Sequence, residues 1–425
     1  MSTPVPPNPS AGAHPSVVVF SSLFPSDVQP GAGLFVRERM FRVGAQLPMA
    51  VVAPTPWFPL QSLLRRWRPG FRSGAPRYER QLGFDVWFPR FFSVPGVLKG
   101  LDGFFMALGA LPRLWHLKRA GRLDLIDAHF GYPDGYAATL LGRWLNVPVT
   151  ITLRGTEQRH AQDPNIAPRL SRALRRAAQI IAVSQSLRRV ALMVGVASDR
   201  VLVVGNGVDL QRFSPLGRAE ARRALGLQDD APVLVTVGGL VERKGFHRVI
   251  ELLPALRARF PGLTYLVVGG PGPEGDMGPE LRRQVVELGL GDAVRFLGAL
   301  PPARVREPLS AADVFVLATH NEGWANVFLE AMACGLPVVT TDVGGNAEVV
   351  CRPELGTVVP FGDSARLGEA IQQALVTRWD AAAIRRYAED NTWDRRVEEL
   401  VALFRRVHAH AAGTAASARI ALPGS

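Results

Sequence analysis

The chain has 425 residues, 47% hydrophobic and 20% charged, which is long for a single core and natural for two. Only two cysteines are present, Cys334 and Cys351, which argues against a disulfide framework and for a reducing compartment. The net charge of +12 is uneven: up to Pro215, 26 Lys and Arg stand against 12 Asp and Glu, a net +14, while the rest holds 23 against 25.

In chain order, Met1 to Ser16 is rich in proline and small polar residues and lacks an apolar centre, so residues 1–15 read as a disordered tail and not a signal peptide. Val17 to Phe20 and Met49 to Ala53 are short apolar strands, with a Gly-containing loop, Pro30 to Gly33, and a helical run, Leu34 to Val43, between them. That is one β–loop–α–β unit of a doubly wound parallel sheet. Leu125 to Ala128, Val147 to Thr152 and Gln179 to Ser184 continue it. The pattern restarts with strands at Pro232–Val237, Thr264–Gly269, Val294–Leu297, Val314–Ala318 and Pro337–Thr341, separated by helical runs such as Phe246 to Phe260 and Gly278 to Gly289. The expected division is an N-terminal α/β domain at 16–212, a second at 213–391, a crossover helix at 392–410 and a flexible tail at 411–425.

Residues from Pro56 to Arg122 fit this pattern poorly. Trp57, Phe58, Leu60, Leu63, Leu64 and Trp67 alternate with Arg65, Arg66, Arg68 and Arg72, and Phe104, Phe105, Met106, Leu108 and Leu111 precede Arg113, Lys118, Arg119 and Arg122. Such mixing suits a helix at a membrane interface. An ordinary half-buried helix with a solvated basic face explains it equally well. No run of about 18 apolar residues suits a transmembrane helix. The basic bias of the first half fits nucleic acid, or an anionic membrane or phosphate-bearing acceptor; no nucleic-acid motif is present, which favours the latter pair.

The segment EGWANVFLEAMACGLPVVTTDVGG, Glu322 to Gly345, is the most constraining. Gly323 and Asn326 suit a loop, and Val327 to Cys334 a short helix ended by Gly335 and Pro337. The start of that helix offers backbone N–H groups to an anion such as a diphosphate. Glu330, one turn in, can accept from a vicinal diol, and Glu322 can reach a second hydroxylated ring. A capped surface helix with solvated glutamates is the bland alternative.

This segment resembles the signature of the retaining glycosyltransferases of family 4, two glutamates separated by seven residues, and the resemblance runs from about Val17 to about Arg405. It implies a GT-B fold, with two Rossmann-like domains facing a cleft, the donor held mainly by the second, and the last helix crossing back to the first. In GGLVERKG, Gly238 to Gly245, Lys244 matches the family's diphosphate lysine, while Gly239 stands where the family has arginine; Arg243 is a candidate substitute. A fixed cation there would stabilise the leaving diphosphate. His129, in DAHFGYPDG, takes the place of a histidine that touches the donor sugar near its anomeric carbon, although a lone histidine after a strand is commonly structural. Asp134 could cap the following helix. Arg154, in LRGTE, suggests an acceptor bearing phosphate or carboxylate; pairing with Glu157 or Asp163 explains it equally well. Gly33 resembles the glycine whose backbone approaches the donor phosphates, and NGVD, Asn206 to Asp209, the interdomain segment. Gly344, Gly345 and Glu348 would line the nucleotide or sugar edge.

The expected site is therefore Glu322, His129 and Lys244 for catalysis, Gly33, Arg243, Lys244, Asn326, Val327, Phe328 and Glu330 for the donor, and Arg154 for the acceptor. The expected reaction is metal-independent transfer of a hexose from a nucleotide-sugar, acting as co-substrate with no cofactor, to a glycan or lipid-linked hydroxyl, with front-face retention. FPSDVQPGAGLFVRER and VVAPTPWFP look closest to members that build cell-surface polysaccharides. The expected partners are that donor, that acceptor and an anionic membrane surface, with no nucleic acid, at the cytoplasmic face. A non-catalytic nucleotide-sugar-binding scaffold is the rival that Gly239 favours; a GT-B phosphorylase would need a cofactor lysine and a far longer chain.

Overall fold

In the first half the strands are β1 (Val17–Phe20), β2 (Met49–Val52), β3 (Thr55–Trp57), β4 (Tyr78–Gln81), β5 (Phe84–Trp87), β6 (Arg90–Phe92), β7 (Leu125–His129), β8 (Val149–Leu153), β9 (Gln179–Ala182) and β10 (Val201–Val203). The second half adds β11 (Val233–Val237), β12 (Thr264–Val268), β13 (Val294–Gly298), β14 (Val314–Leu317), β15 (Val338–Thr341) and β16 (Gly356–Val359). Five helices matter below: α1 (Leu34–Gly44), α2 (Asp102–Arg119), α3 (Phe246–Arg259), α4 (Asn326–Ala333) and α5 (Trp393–Ile420). The computed structural model describes residues 14–59, 61, 66, 74, 76–272 and 274–420, with side chains through residue 413.

The chain forms two compact units, one of residues up to Gly205 together with Asp394 onward, the other Asn206–Trp393. The first division falls a few residues before the expected 212/213. In the first unit the sheet order is β10-β9-β8-β7-β1-β2-β5-β4, and in the second β13-β12-β11-β14-β15-β16. Apart from the antiparallel β4–β5 hairpin, every pair in both sheets is parallel. Each sheet runs outward in both directions from its first strand. The order therefore reverses between β1 and β7 in one unit and between β11 and β14 in the other. In doubly wound sheets ligands bind beyond the carboxyl ends of strands at such a reversal.

The central strands are buried on both faces, which explains their predominantly apolar, β-branched composition, with Asp127 and His129 the charged or titratable exceptions in β7. The hairpin β4–β5 and the two-stranded β3–β6 ribbon lie in the stretch that fitted the pattern poorly. The closing helix starts one residue after the expected Thr392 and continues past His410 to Ile420, through an alanine-rich segment of high helix propensity. Its Val397, Leu400, Val401 and Phe404 pack into the core around Val17, Val19 and Val36, so α5 belongs to the first unit.

Helix α2 buries Met106, Ala107, Ala110, Leu114 and Leu117 and leaves Phe104, Leu108 and Trp115 40%, 44% and 50% exposed. The open face is thus apolar as well as basic. Of the aromatic and basic stretch before it, Leu60, Leu63, Leu64, Arg65, Trp67, Arg68 and Arg72 lie outside the described residues; Phe58 is buried and Trp57 exposed. Of the expected N-terminal tail, residues 1–13 also lie outside them. Among the described residues no helix is long and apolar enough to cross a membrane.

Because Phe404 is fully buried against β1's core, Phe404→Ala should destabilise the first unit by about 3–5 kcal/mol. A urea titration reads this directly. A loss below about 1 kcal/mol would mean that α5 contributes little to that core.

Candidate active site

In the second unit the site is assembled from the loops after β11, β14 and β15. The β11 loop turns through a 3-10 segment, Glu242–Lys244, into α3. The β14 loop crosses it: His320 N donates to Arg243 O (3.0 Å), and Thr319 Oγ1 donates to the same carbonyl (2.9 Å). Glu322 lies 9% exposed where they meet. Its Oε1 accepts from Lys244 Nζ (2.5 Å) and Arg243 Nη1 (3.1 Å), and Arg243 Nη1 also donates to Asn321 O (3.0 Å). The two adjacent cations therefore point the same way. Burial alone would lower the Arg243 pKa, but its contacts with Glu274 and Glu322 hold it above the ordinary value.

Behind Glu322 stands Gly344, with φ of +55°, where a Cβ would sit 1.6 Å from Glu322 O. Only glycine fits that approach. The β15 loop thereby fixes the backbone of Glu322.

Helix α4 begins just past Glu322. Its first turn has no acidic residue, and Ala325, at its N-cap, makes no side-chain cap. Phe328 N already donates to Ala325 O, so the backbone N–H groups at the very start are those of Asn326 and Val327. The Asn326 side chain accepts from Asn206 Nδ2 (2.7 Å), which ties the NGVD segment to the helix start. The Phe328 ring is fully buried against Phe315, so that residue is core and its side chain does not face the site. Glu330 lies half-buried one turn in.

The first unit brings His129 and Arg154 together at the carboxyl edge of its sheet, where His129 pairs in register with Thr152. Arg154 Nε and Nη2 lie 3.2 and 2.9 Å from His129 Nδ1, and the guanidinium lies 5.4 Å over the Phe35 ring. Arginine only donates, so Nδ1 accepts and the imidazole proton is assigned to Nε2, 3.2 Å from Asp127 Oδ2. Both ring nitrogens thus face protein groups, and the ring is fully buried. Burial lowers the His129 pKa to about 4, with Arg154 adding to the effect and Asp127 opposing it. Burial likewise holds Arg154 well below its ordinary value.

Glu157 accepts from the backbone N–H of Gly131 (2.9 Å), Arg154 (3.1 Å) and Gly155 (2.8 Å), clamping the strand ends that carry His129 and Arg154. Asp134, instead of capping a helix with its side chain, accepts from Ser22 N and Ser22 Oγ and so bridges β1 to the β7 loop. Burial raises its pKa to about 7 against the pull of those donors. Gly33, left-handed at φ of +65°, leads into α1; a Cβ there would meet Leu23 O at 2.2 Å.

Sequence reasoning missed Glu274, Thr319, Asp127 and the clamping role of Glu157. Their only signal was position at or just after the ends of parallel strands, Asp127 within β7 and the others beyond β12, β14 and β8. Cys334 is buried and Cys351 exposed, both as free thiols.

Two doubly wound units, one of them with Lys244 and Arg243 paired to carboxylates at its strand ends, are the architecture of the GT-B class. The family model for group 1 glycosyl transferases matches residues 217–391, and that for glycosyltransferase family 4 matches residues 71–212. The chain is similar to TuaC of Bacillus subtilis (strain 168), a glycosyltransferase named for teichuronic acid biosynthesis, at 30% identity over 370 residues, 84% of this chain and 88% of that protein. It is also similar to the D-inositol 3-phosphate glycosyltransferase of Acidothermus cellulolyticus, 31% identical over 330 residues and 73% of each chain. Among solved structures, Anabaena Alr3699/HepE in complex with UDP-glucose matches with a TM-score of 0.63 at 20% identity, covering 94% of this chain and 99% of that one. The chain belongs to the family 4 glycosyltransferases.

His129 and Asp134, both buried in the first unit, titrate in opposite senses. Between pH 4 and 6.5 the unfolded chain protonates His129 and the folded chain does not, so this group makes stability rise with pH. Between pH 4 and 7 the folded chain keeps the Asp134 proton that the unfolded chain loses, so this group makes stability fall with pH. Relative to the parent chain, the stability of Asp134→Asn should climb from pH 4 to 7 and that of His129→Gln should decline from pH 4 to 6.5. Each slope approaches about 1.4 kcal/mol per pH unit in denaturant titrations. Parallel pH profiles for parent and variants would contradict both assignments.

Proposed function

We propose that the chain moves a hexose from a nucleotide-sugar to a hydroxyl of a lipid-linked or cell-surface polysaccharide intermediate, retaining the anomeric configuration and using no metal. The observation that carries this reading is the convergence of Lys244 and Arg243 on one carboxylate oxygen of Glu322, beside the uncapped start of α4. Two adjacent cations next to the backbone donors of a helix start suit a diphosphate. The UDP-glucose complex of HepE supports a nucleotide-sugar donor, and the name of TuaC supports a polysaccharide product.

In the reaction the bond from the anomeric carbon to the diphosphate oxygen breaks, and the acceptor oxygen bonds to that carbon from the same face. The acceptor proton passes to the departing phosphate oxygen, so no enzymic nucleophile is required. Lys244 and Arg243 neutralise the charge that grows on the diphosphate, where a dry and fixed cation acts most strongly. Glu322 orients those cations and the sugar, and Glu330 accepts from the ribose diol. In the first unit Arg154 is the acceptor-side group, favouring phosphate or carboxylate. The relative named for D-inositol 3-phosphate supports an anionic acceptor. His129, enclosed between Asp127 and Arg154, acts by holding Arg154 in place.

Glu322→Gln and Lys244→Ala should lower kcat by about 100-fold or more with little change in KM, because their charges count most as the bond breaks. Nucleotide release across a panel of UDP-, GDP- and ADP-sugars provides the measurement. Wild-type rates in both variants would sink the assignment, and a parent chain that binds a donor yet releases no nucleotide would favour the scaffold reading.

The same reading places the chain peripherally at the cytoplasmic membrane face. Its support is the open face of α2, where Phe104, Leu108 and Trp115 stand beside Lys118 and Arg119, with Arg119 5.5 Å over the Trp115 ring. Aromatic residues flanked by cations suit a headgroup boundary, and each cation adds on the order of 1 kcal/mol near anionic lipid. Co-sedimentation with anionic vesicles should be strong at low salt, weak at high salt, and reduced by Leu108→Glu. Equal binding to neutral and anionic vesicles would overturn it.

A further inference from the structure

We propose that Arg243 is a working cation of the diphosphate subsite and that Glu274 holds it ready while the subsite is empty, yielding it to the donor. The inference rests on the nucleotide-sugar reading above and adds to it a competing anion built into the protein.

Arg243 is anchored through its backbone. Its carbonyl accepts from His320 N and Thr319 Oγ1, and Gly245 follows in the left-handed region at φ of +73°. The side chain is divided between two sets of partners. Nη1 turns inward to Asn321 O (3.0 Å) and Glu322 Oε1 (3.1 Å). Nε lies 3.2 Å from both Glu274 oxygens, and Nη2 lies 3.0 Å from Oε1 of the same carboxylate.

The two carboxylates differ in kind. The Glu322 side chain is 9% exposed and fixed by three crossing loops, whereas the Glu274 side chain is 53% exposed. Glu274 sits on a loop of small residues, where Gly272 and Gly275 bond to each other and Gly275 has φ of +136°. Solvated ion pairs contribute little to stability, so a diphosphate carrying more charge can displace Glu274 without disturbing the buried pair. Glu274 thereby occupies the fork of Arg243 as a weak carboxylate stand-in for phosphate.

The other end of the β11 loop carries no cation. A Cβ added at Gly239 would come no nearer than 3.8 Å to Gly272 Cα and 3.9 Å to Gly270 O, which is ordinary contact. The fold therefore does not demand glycine there, and a cation could be carried at either end of the loop. In this chain it is carried at Arg243.

Calorimetry on the full chain with UDP, GDP and ADP, and with the matching monophosphates, tests the proposal. For whichever diphosphate the parent binds, Arg243→Ala should weaken binding by about 10-fold or more, and its monophosphate by much less. Adding Gly239→Arg to Arg243→Ala should restore part of the loss. Glu274→Gln should tighten the diphosphate several-fold at low salt. Unchanged diphosphate affinity in Arg243→Ala overturns the role of Arg243. Weaker binding in Glu274→Gln overturns the competing role of Glu274. A parent chain that binds none of the three diphosphates overturns the nucleotide-sugar reading itself.

Discussion

A carboxylate that is nearly out of water must be paired, and Glu322 meets that condition with two neighbouring cations on a single oxygen. Much of the second unit's functional edge follows from it. Lys244 and Arg243 can converge only because Thr319 and His320 hold the Arg243 carbonyl in place. Thr341 in turn donates to Thr319 O from β15, and Gly344 presses against the Glu322 backbone. Three loops from neighbouring strands are thus fastened around one charge. The start of α4 follows directly, so its free N–H groups and the cations are set by the same framework.

The first unit solves a related problem by different means. Asp127, His129, Arg154 and Glu157 are all buried and packed together, with His129 Nε2 and Asp127 Oδ2 3.2 Å apart without a hydrogen bond between them. Thr150 donates to Asp127 (2.7 Å), Asp127 faces His129, His129 accepts from Arg154, and Glu157 clamps three backbone N–H groups around them. Such a cluster of buried polar groups orders its members through the bonds that it does make. It makes the strand ends rigid and gives His129 a neutral, oriented ring. A histidine held this way determines where Arg154 stands, so the histidine of the sequence motif and the arginine of the next strand work as one device.

The parallel strands were legible because buried β-branched runs such as VVVF and VVTT have few other uses. The β4–β5 hairpin was not, since YERQ is polar and only Glu79 of its four residues is buried. Within the site, Glu322 and the start of α4 could be read from the motif's own residues, while Lys244 and Arg243 rested on the resemblance to family 4. What spacing could not reveal was which groups cross between loops. Arg154 meets His129 from 25 positions away, and Glu274 meets Arg243 from 31 away. Phe328 shows the reverse failure: inside a functional motif, its side chain serves only the core. The length of α5 was underestimated because small residues, taken as a tail, also favour helix.

The most direct test is an experimental structure of the chain with bound UDP-glucose or whichever nucleotide-sugar it binds. The account predicts diphosphate oxygens within hydrogen-bond distance of Lys244 Nζ and of the first N–H groups of α4, with the ribose at Glu330. A nucleotide seated elsewhere, with the Lys244–Glu322 pair untouched by phosphate, would contradict it.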